Sequence, residues 1–164
     1  MAATDGLVID DDVLFAASFL HDMAAFEEFA EAGEEHSAVA AEKVASVLEP
    51  VGFPMEKLAG VQAAVLAHMY YANVPENAEA RVLHDADTLN FLGAIGVTRI
   101  ISLTTREGLA NDLPTAAATL ENFSQQLPTA LVTDAAKSLA TERVQEMQTF
   151  LSALKQQSAD GQAL

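Results

Sequence analysis

The stretch IDDDVLFAASFLHD, residues 9–22, decides how the chain begins to fold. Its three consecutive aspartates can cap a helix, and they place negative charge at the helix N-terminus, where it is stabilising. An apolar run follows at helical spacing, which predicts one buried face. The apolar positions of that face are Val13, Leu14, Ala17 and Leu20. We therefore predict a first helix that runs to about Asp22.

A histidine and an aspartate stand side by side at the end of this stretch, as His21 and Asp22. A neutral imidazole nitrogen and a carboxylate oxygen together suit a divalent cation such as Mn, Fe, Co or Zn. Adjacent helical residues point about 100° apart, so both can reach one ion only from a helix end or edge. Taken alone, the dipeptide also fits a surface pair or a hydrogen-bonded core pair.

The rest of the chain repeats the helical pattern. The predicted further helices cover about 35–49, 54–71, 78–93, 97–108, 114–126, and a last one that begins at Thr133 or Asp134. No stretch shows sustained alternation of apolar and polar residues. We predict an all-α fold, a single helical domain of about six to seven helices over residues 8–157, followed by a disordered tail at 158–164.

Composition narrows the classes of function. The 164 residues contain no cysteine, which excludes disulfides and thiolate metal sites, and 24 acidic against 8 basic residues give a net charge of −16. Such a surface repels nucleic-acid polymers and phosphorylated metabolites alike, unless a metal ion reverses the local sign. No basic signal segment and no apolar run of 18 residues is present. We expect a cytoplasmic protein without membrane contact.

The residues that can carry chemistry lie between residues 21 and 87. They are His21, Asp22, His36, His68, His84, Asp85 and Asp87. Helices that deliver such side chains toward a common core are how metal sites form in bundles. Each residue also has an ordinary explanation, as a solvated helix position or a hydrogen-bonded core histidine. The sequence contains no Gly-x-Ser-x-Gly, Walker-type, Gly-x-Gly-x-x-Gly or His-Glu-x-x-His motif.

The wider sequence resembles the HD-domain superfamily of metal-dependent phosphohydrolases, in its small bacterial single-domain form. The sequence segments that show the resemblance are LHD at 20–22, HSAVAAEKVASVLEPVGFPMEKLAGVQAAVLAH at 36–68, VLHDADTLNFLGAIGVTRIISLTTREG at 82–108 and LPTALVTDAAKSLATERVQEMQTFLSAL at 127–154. The likeness extends over roughly residues 8–157. Its Asp-Ala-Asp-x-Leu-x-x-Leu-Gly-Ala-Ile-Gly segment is specific, whereas the His-Asp pair alone is not.

The resemblance implies different roles for the candidate residues. His21, Asp22 and Asp85 would be metal ligands, and His36 and His68 would bind a second metal or the phosphate. Asp22 and His68 would also be catalytic. Asp22 would take the proton of an attacking water, and His68 or His36 would offset charge on the phosphoryl oxygens.

The resemblance also implies a cofactor and a substrate class. The cofactor would be a divalent ion, namely Mn, Fe, Co, Ni, Mg or Zn, and the substrate a small phosphate ester or a nucleotide. Arg99 and Arg106 on the predicted fifth helix are candidates for binding the substrate phosphate, with surface ion pairs as the alternative. His84 is expected to be a substituted neighbour of Asp85 rather than a ligand.

One feature of the family pattern is missing. The family's ligand set begins with a histidine on a preceding helix, and none of the 20 residues before His21 is a histidine. Either the start is truncated, or this form has lost a ligand and part of its core. A lost ligand implies weaker metal binding and impaired hydrolysis, and the apolar surface that a missing helix leaves uncovered can recruit a second copy as a homodimer. The alternatives are a non-catalytic HD-like domain for binding or regulation, or a helical interaction domain whose histidines have no role.

Overall fold

The structure is a computed structural model that describes residues 1–106 and 112–158, without the side chains of 104–106. All the regular secondary structure in these ranges is helical, which confirms the predicted all-α class. The helices are α1 (Asp11–Leu20), α2 (His36–Leu48), α3 (Leu58–Leu66), α4 (Ala78–Leu89), α5 (Gly93–Arg106), α6 (Leu113–Ala130) and α7 (Asp134–Gln157). Short 3₁₀ turns cover Met23–Ala25, Glu49–Val51 and Met55–Lys57. Within the described ranges, no helix is long and apolar enough to cross a membrane.

The chain divides into two compact units. The first consists of Met1–Asp87 with Val132–Asp134, and the second of Thr88–Leu131 with Ala135–Leu164. The single domain predicted over 8–157 therefore stays a prediction. The predicted tail from residue 159 onward lies outside the described residues, and Ser158 is buried against the last turn of α7, where its N–H donates to the Leu154 carbonyl.

The first unit is built on α3, which packs against both α1 and α2. Its core contains few large side chains, so the helices approach closely through alanine and valine. The fully buried members of this core are Ala17, Ala40, Val44, Val61, Ala64, Val65 and Ala80. The predicted face of α1 is confirmed in part, because Val13 and Ala17 are buried while Leu14 and Leu20 pack against the core from its edge.

Capping determines where α1 begins. The Asp10 carboxylate accepts hydrogen bonds from the backbone N–H groups of Asp12, at 3.0 Å, and Val13, at 3.4 Å. Lys57 lies 2.8 Å from the Asp10 carboxylate and 2.7 Å from that of Asp12, so it joins α1 to the turn before α3. The hydrogen bond from Lys57 holds the pKa of Asp10 below its usual range. α1 ends at Leu20, two residues earlier than predicted.

α3 ends at Leu66, well before the Tyr71 predicted as its last residue. In a continuing helix, the Val65 carbonyl would accept the N–H four residues later. Here it accepts instead from the ring nitrogen Nδ1 of His68 at 2.6 Å and from the His68 backbone N–H at 3.5 Å. The side chain of His68 thus replaces the next helical hydrogen bond, and His68 lies just beyond the helix.

The second unit is organised by the packing of α5 against α6. Large aliphatic side chains fill its interior, and those with almost no exposure are Leu92, Ile100, Leu120, Leu127 and Met147. The Arg143 guanidinium on α7 donates to the Leu89 carbonyl at 2.6 Å, which satisfies a carbonyl at the end of α4. Gly96 lies where α5 passes against the backbone of Phe91, and a Cβ atom there would be 2.2 Å from the Phe91 carbonyl oxygen.

The Gly96→Ala variant is expected to lower the free energy of unfolding by about 2 kcal/mol, because the added methyl group must push backbone rather than a side chain. The measurement is a urea unfolding curve of the purified variant. Gly60→Ala is the matched control, since its Cβ would meet only the side chain of Val13, at 3.1 Å. We expect the control to change stability by less than about 1 kcal/mol. Equal losses from both variants would contradict this account.

Candidate metal centre

Four side chains of the first unit converge because each sits at the end of a helix. His21 follows the last residue of α1, and Asp22 precedes the 3₁₀ turn Met23–Ala25. His36 is the first residue of α2, and His68 lies two residues after α3. Helix ends allow adjacent or distant residues to face one point, as the sequence required of His21 and Asp22.

Three donor atoms form a nearly equilateral triangle. Asp22 Oδ1 lies 3.5 Å from Nε2 of His36 and 3.4 Å from Nε2 of His68, and the two Nε2 atoms are 3.3 Å apart. Two ligands of a tetrahedral ion, each bound at about 2.1 Å, lie about 3.4 Å from each other. The three side chains are therefore spaced as ligands of one ion, and together they form a group that could hold a metal.

The other ring nitrogens show how the imidazoles are oriented. Nδ1 of His21 lies 2.9 Å from the Ser18 carbonyl, Nδ1 of His68 lies 2.6 Å from the Val65 carbonyl, and Nδ1 of His36 lies 3.2 Å from a Glu35 carboxylate oxygen. These oxygens can only accept, so each Nδ1 carries a hydrogen, and the Nε2 atom of each ring points at Asp22. A bound cation would take the place of the protons through which these Nε2 atoms hydrogen-bond to Asp22 and to each other.

The two oxygens of Asp22 face different histidines. Oδ1 faces His36 and His68, whereas Oδ2 lies 3.3 Å from Nε2 of His21, whose ring meets that of His68 edge-on with centroids 4.9 Å apart. Hydrogen bonding to His21 and His68 holds the pKa of Asp22 far below its usual range, so Asp22 stays an anion. Such a carboxylate can serve cations on both sides.

A second carboxylate, that of Asp87, acts on His21 through its charge. Burial lowers the pKa of His21, but Asp22, the Ser18 carbonyl and the charge of Asp87 outweigh burial, and the net pKa is raised. Asp87 is partly exposed on α4, in the same unit as the cluster. The resemblance singled out Asp85 of the pair Asp85 and Asp87, because helical periodicity alone cannot say which of the two acts on His21.

Asp85, expected as a ligand, is engaged elsewhere and is not a member of the three-residue group. Its Oδ2 accepts from the Thr133 N–H at 2.7 Å and the Thr133 hydroxyl at 2.6 Å, and its Oδ1 accepts from the Val132 N–H at 3.0 Å. His84 Nδ1 also lies 3.0 Å from Oδ1. Burial raises the pKa of Asp85, but these hydrogen bonds outweigh it and lower the pKa overall. The ligand role of Asp85 stays a prediction.

Three other residues considered in the sequence analysis are His84, Arg99 and Arg106. His84 is buried, and its ring contacts Asp85 rather than the three-residue group. Arg99 belongs to the second unit, where its guanidinium lies 4.4 Å above the ring of Phe91. The side chain of Arg106 lies outside the described residues. The substrate-binding roles of both arginines stay predictions.

The chemistry of the donor set narrows the choice of metal. Two imidazole nitrogens and one carboxylate oxygen suit Zn, Mn, Fe, Co or Ni, whereas Mg prefers oxygen ligands. Each imidazole is already oriented through its second nitrogen, as metal-binding histidines commonly are. The residues present therefore fit a divalent transition metal, which Asp22, His36 and His68 could hold.

Comparison with known proteins finds likeness only at the level of structure. No family model matches the sequence, and no curated protein matches it significantly. YpgQ from Bacillus subtilis, solved in complex with ADP, has a TM-score of 0.69 at 20% identity, over 95% of this chain and 80% of its own. A Lactobacillus plantarum protein solved by structural genomics has a TM-score of 0.52 at 20% identity, over 91% of this chain and 86% of its own. Likeness at this level of identity establishes a shared fold.

Proposed function

We propose that the chain is a metal-dependent phosphohydrolase that acts on a nucleotide or another phosphate ester. The observation that carries the proposal is the convergence of donor atoms from Asp22, His36 and His68 at the spacing of metal ligands. The resemblance of the sequence to HD-domain phosphohydrolases supports it separately, because it assigns metal or phosphate binding to these same side chains.

The proposal requires a metal because of the charge of the protein. With a net charge of −16, the chain repels a phosphorylated substrate. A divalent ion held by Asp22, His36 and His68 would supply a Lewis acid that offsets phosphoryl charge and lowers the pKa of water. His21, which lies near the other oxygen of Asp22, and Asp87, whose charge acts on His21, are candidates for holding a second ion.

The side chains of the cluster contribute orientation and charge. Asp22 stays ionised because the neighbouring imidazoles lower its pKa, and this suits it to holding a cation. The same low pKa makes it a weak base, so the predicted role as proton acceptor is the less favoured of its two roles. His68 is fully buried, so it suits the role of a ligand better than that of a direct substrate contact.

The choice of substrate class draws on the structural neighbour. YpgQ was solved with ADP, and its fold matches this chain over most of both lengths. A nucleoside phosphate is therefore the first substrate to test. A simple phosphodiester is the second, because the resemblance implies phosphate esters in general.

We expect the purified full chain, loaded with Mn or Co, to release phosphate or pyrophosphate from nucleotides, and a chelator to abolish the release. The assay follows phosphate from ADP, ATP and other nucleotides, and nitrophenol from a chromogenic phosphodiester, with Zn, Mn, Co, Ni and Mg each added separately. His36→Ala is the site variant and Glu34→Gln, an exposed carboxylate two residues away, is the control.

Two outcomes would count against the proposal. If the chain binds metal but turns over none of these substrates, the non-catalytic binding or regulatory domain replaces it. If the chain binds no divalent metal at all, both ideas fail and the helical interaction domain remains. Retained turnover in His36→Ala would show that another site carries the activity.

A further inference from the structure

We propose that Glu35 is a positioning residue of the metal centre, and that Tyr71 in turn holds Glu35. In this arrangement, Glu35 keeps the His36 ring in the tautomer and orientation that direct Nε2 at Asp22 and His68. The inference deepens the proposed function, because it rests on the same metal centre. It does not depend on which substrate the centre acts upon.

His36 needs a partner that the other two histidines do not need. The rings of His21 and His68 each bond a carbonyl three residues earlier in the chain, Ser18 and Val65 respectively. His36 is the first residue of α2, so no helical carbonyl precedes it. A carboxylate on the residue just before the helix takes that place, and its negative charge makes the ring a stronger metal ligand.

Each oxygen of the Glu35 carboxylate faces two hydrogen-bond donors. Oε1 lies 3.2 Å from Nδ1 of His36 and accepts the Tyr71 hydroxyl at 3.1 Å. Oε2 accepts the Ala38 N–H at 3.1 Å and the Ser37 hydroxyl. Burial raises the pKa of Glu35, but Ser37, Ala38 and Tyr71 outweigh burial and lower it. Four donors on two oxygens hold the carboxylate in one orientation.

Tyr71 connects this carboxylate to the segment that carries His68. It lies three residues after His68, in the irregular chain that follows α3. Its ring is 59% exposed, so burial does not explain its position, whereas its hydroxyl reaches Glu35. The bond between Tyr71 and Glu35 therefore spans the same two segments that supply His36 and His68. It helps to keep the two Nε2 atoms at their separation of 3.3 Å.

The Glu35→Gln variant tests the proposal because an amide has only one acceptor oxygen. That oxygen cannot serve both His36 and the backbone N–H of Ala38, so an NH₂ group must face one of these donors. We expect the Nδ1–H tautomer of His36 to lose its dominance in long-range ¹H–¹⁵N spectra of the metal-free full chain. We also expect Zn affinity, measured by calorimetry, to fall about 10- to 100-fold.

Two further variants separate positioning from folding. Tyr71→Phe leaves the cap of α2 untouched, and we expect a loss of Zn affinity in the same direction, below about tenfold. Glu34→Gln changes the same type of residue one position away and should alter neither readout. Thermal melting of each metal-free variant verifies that the spectra come from folded protein.

The outcomes distinguish this inference from the proposed function. An unchanged His36 tautomer and unchanged Zn affinity in folded Glu35→Gln would overturn the positioning role, even if the wild type hydrolyses nucleotides. A shifted tautomer with weaker Zn binding would support it, even if the wild type turns over no nucleotide. A shifted tautomer in metal-free protein with Zn affinity unchanged would overturn it as well, because orientation would then not matter to the metal.

Discussion

The Asp22→Ala variant is expected to bind a divalent metal about 100-fold more weakly than the wild type, and to lose any metal-dependent hydrolysis. Binding of a structural metal by four ligands is worth about 10–16 kcal/mol, so one ligand accounts for about 3 kcal/mol, or about 100-fold. Asp22 contributes more than an average ligand, because it is the anion that His21, His36 and His68 all face.

Calorimetric titration with Zn and Mn at neutral pH measures this loss. Asp11→Ala is the matched control, since it removes an exposed carboxylate of α1 with the same change in net charge. The control should bind metal as the wild type does. If Asp22→Ala retains wild-type affinity, the triangle of donor atoms is a hydrogen-bonded cluster and the metal centre must lie elsewhere.

The Asp85→Ala and Asp87→Ala variants are expected to fail in different ways. Asp85→Ala should lower the free energy of unfolding by about 3–5 kcal/mol, because it leaves the N–H groups of Val132 and Thr133, and the Thr133 hydroxyl, without their buried acceptor. Asp87→Ala should retain its stability, because Asp87 is partly exposed. It should weaken metal binding about tenfold or more, because its charge acts on His21.

Urea unfolding and metal titration of both variants give the comparison. The resemblance of the sequence implies the opposite order, with Asp85 as the ligand, so the pair of variants decides between two specific assignments. A stable Asp85→Ala protein that has lost its metal would restore Asp85 as a ligand. Loss of metal binding from both variants, at unchanged stability, would mean that both carboxylates contribute.

Several features of the fold could be predicted because they depend on neighbours in the chain. The aspartates before α1 cap it, and the apolar spacing of that helix buries Val13 and Ala17. The end of α3 could not be predicted, because it depends on a side chain, that of His68, which takes the Val65 carbonyl. Apolar residues continue past Leu66, so periodicity alone extended the helix.

The candidate site could likewise be predicted only in part. Sequence reasoning selected His21, Asp22, His36 and His68, because few residue types can bind a metal and these lie beside apolar helical segments. The resemblance ranked Asp85 above Asp87 as the ligand, but helical periodicity could not test that order, because positions two apart on a helix differ by about 200° and either face could point at His21.

By itself, the sequence determined the helical class, the acidic surface and the residue types available to a cation. Only the tertiary structure decided which oxygen of Asp22 faces which ring, and that Asp85 holds the Val132–Thr133 segment, 47 residues further along the chain. The physical reason is the separation along the chain over which each kind of interaction acts. Caps and helical periodicity act over a few residues, whereas a ligand set is defined by distances of about 3.4 Å between atoms far apart in sequence.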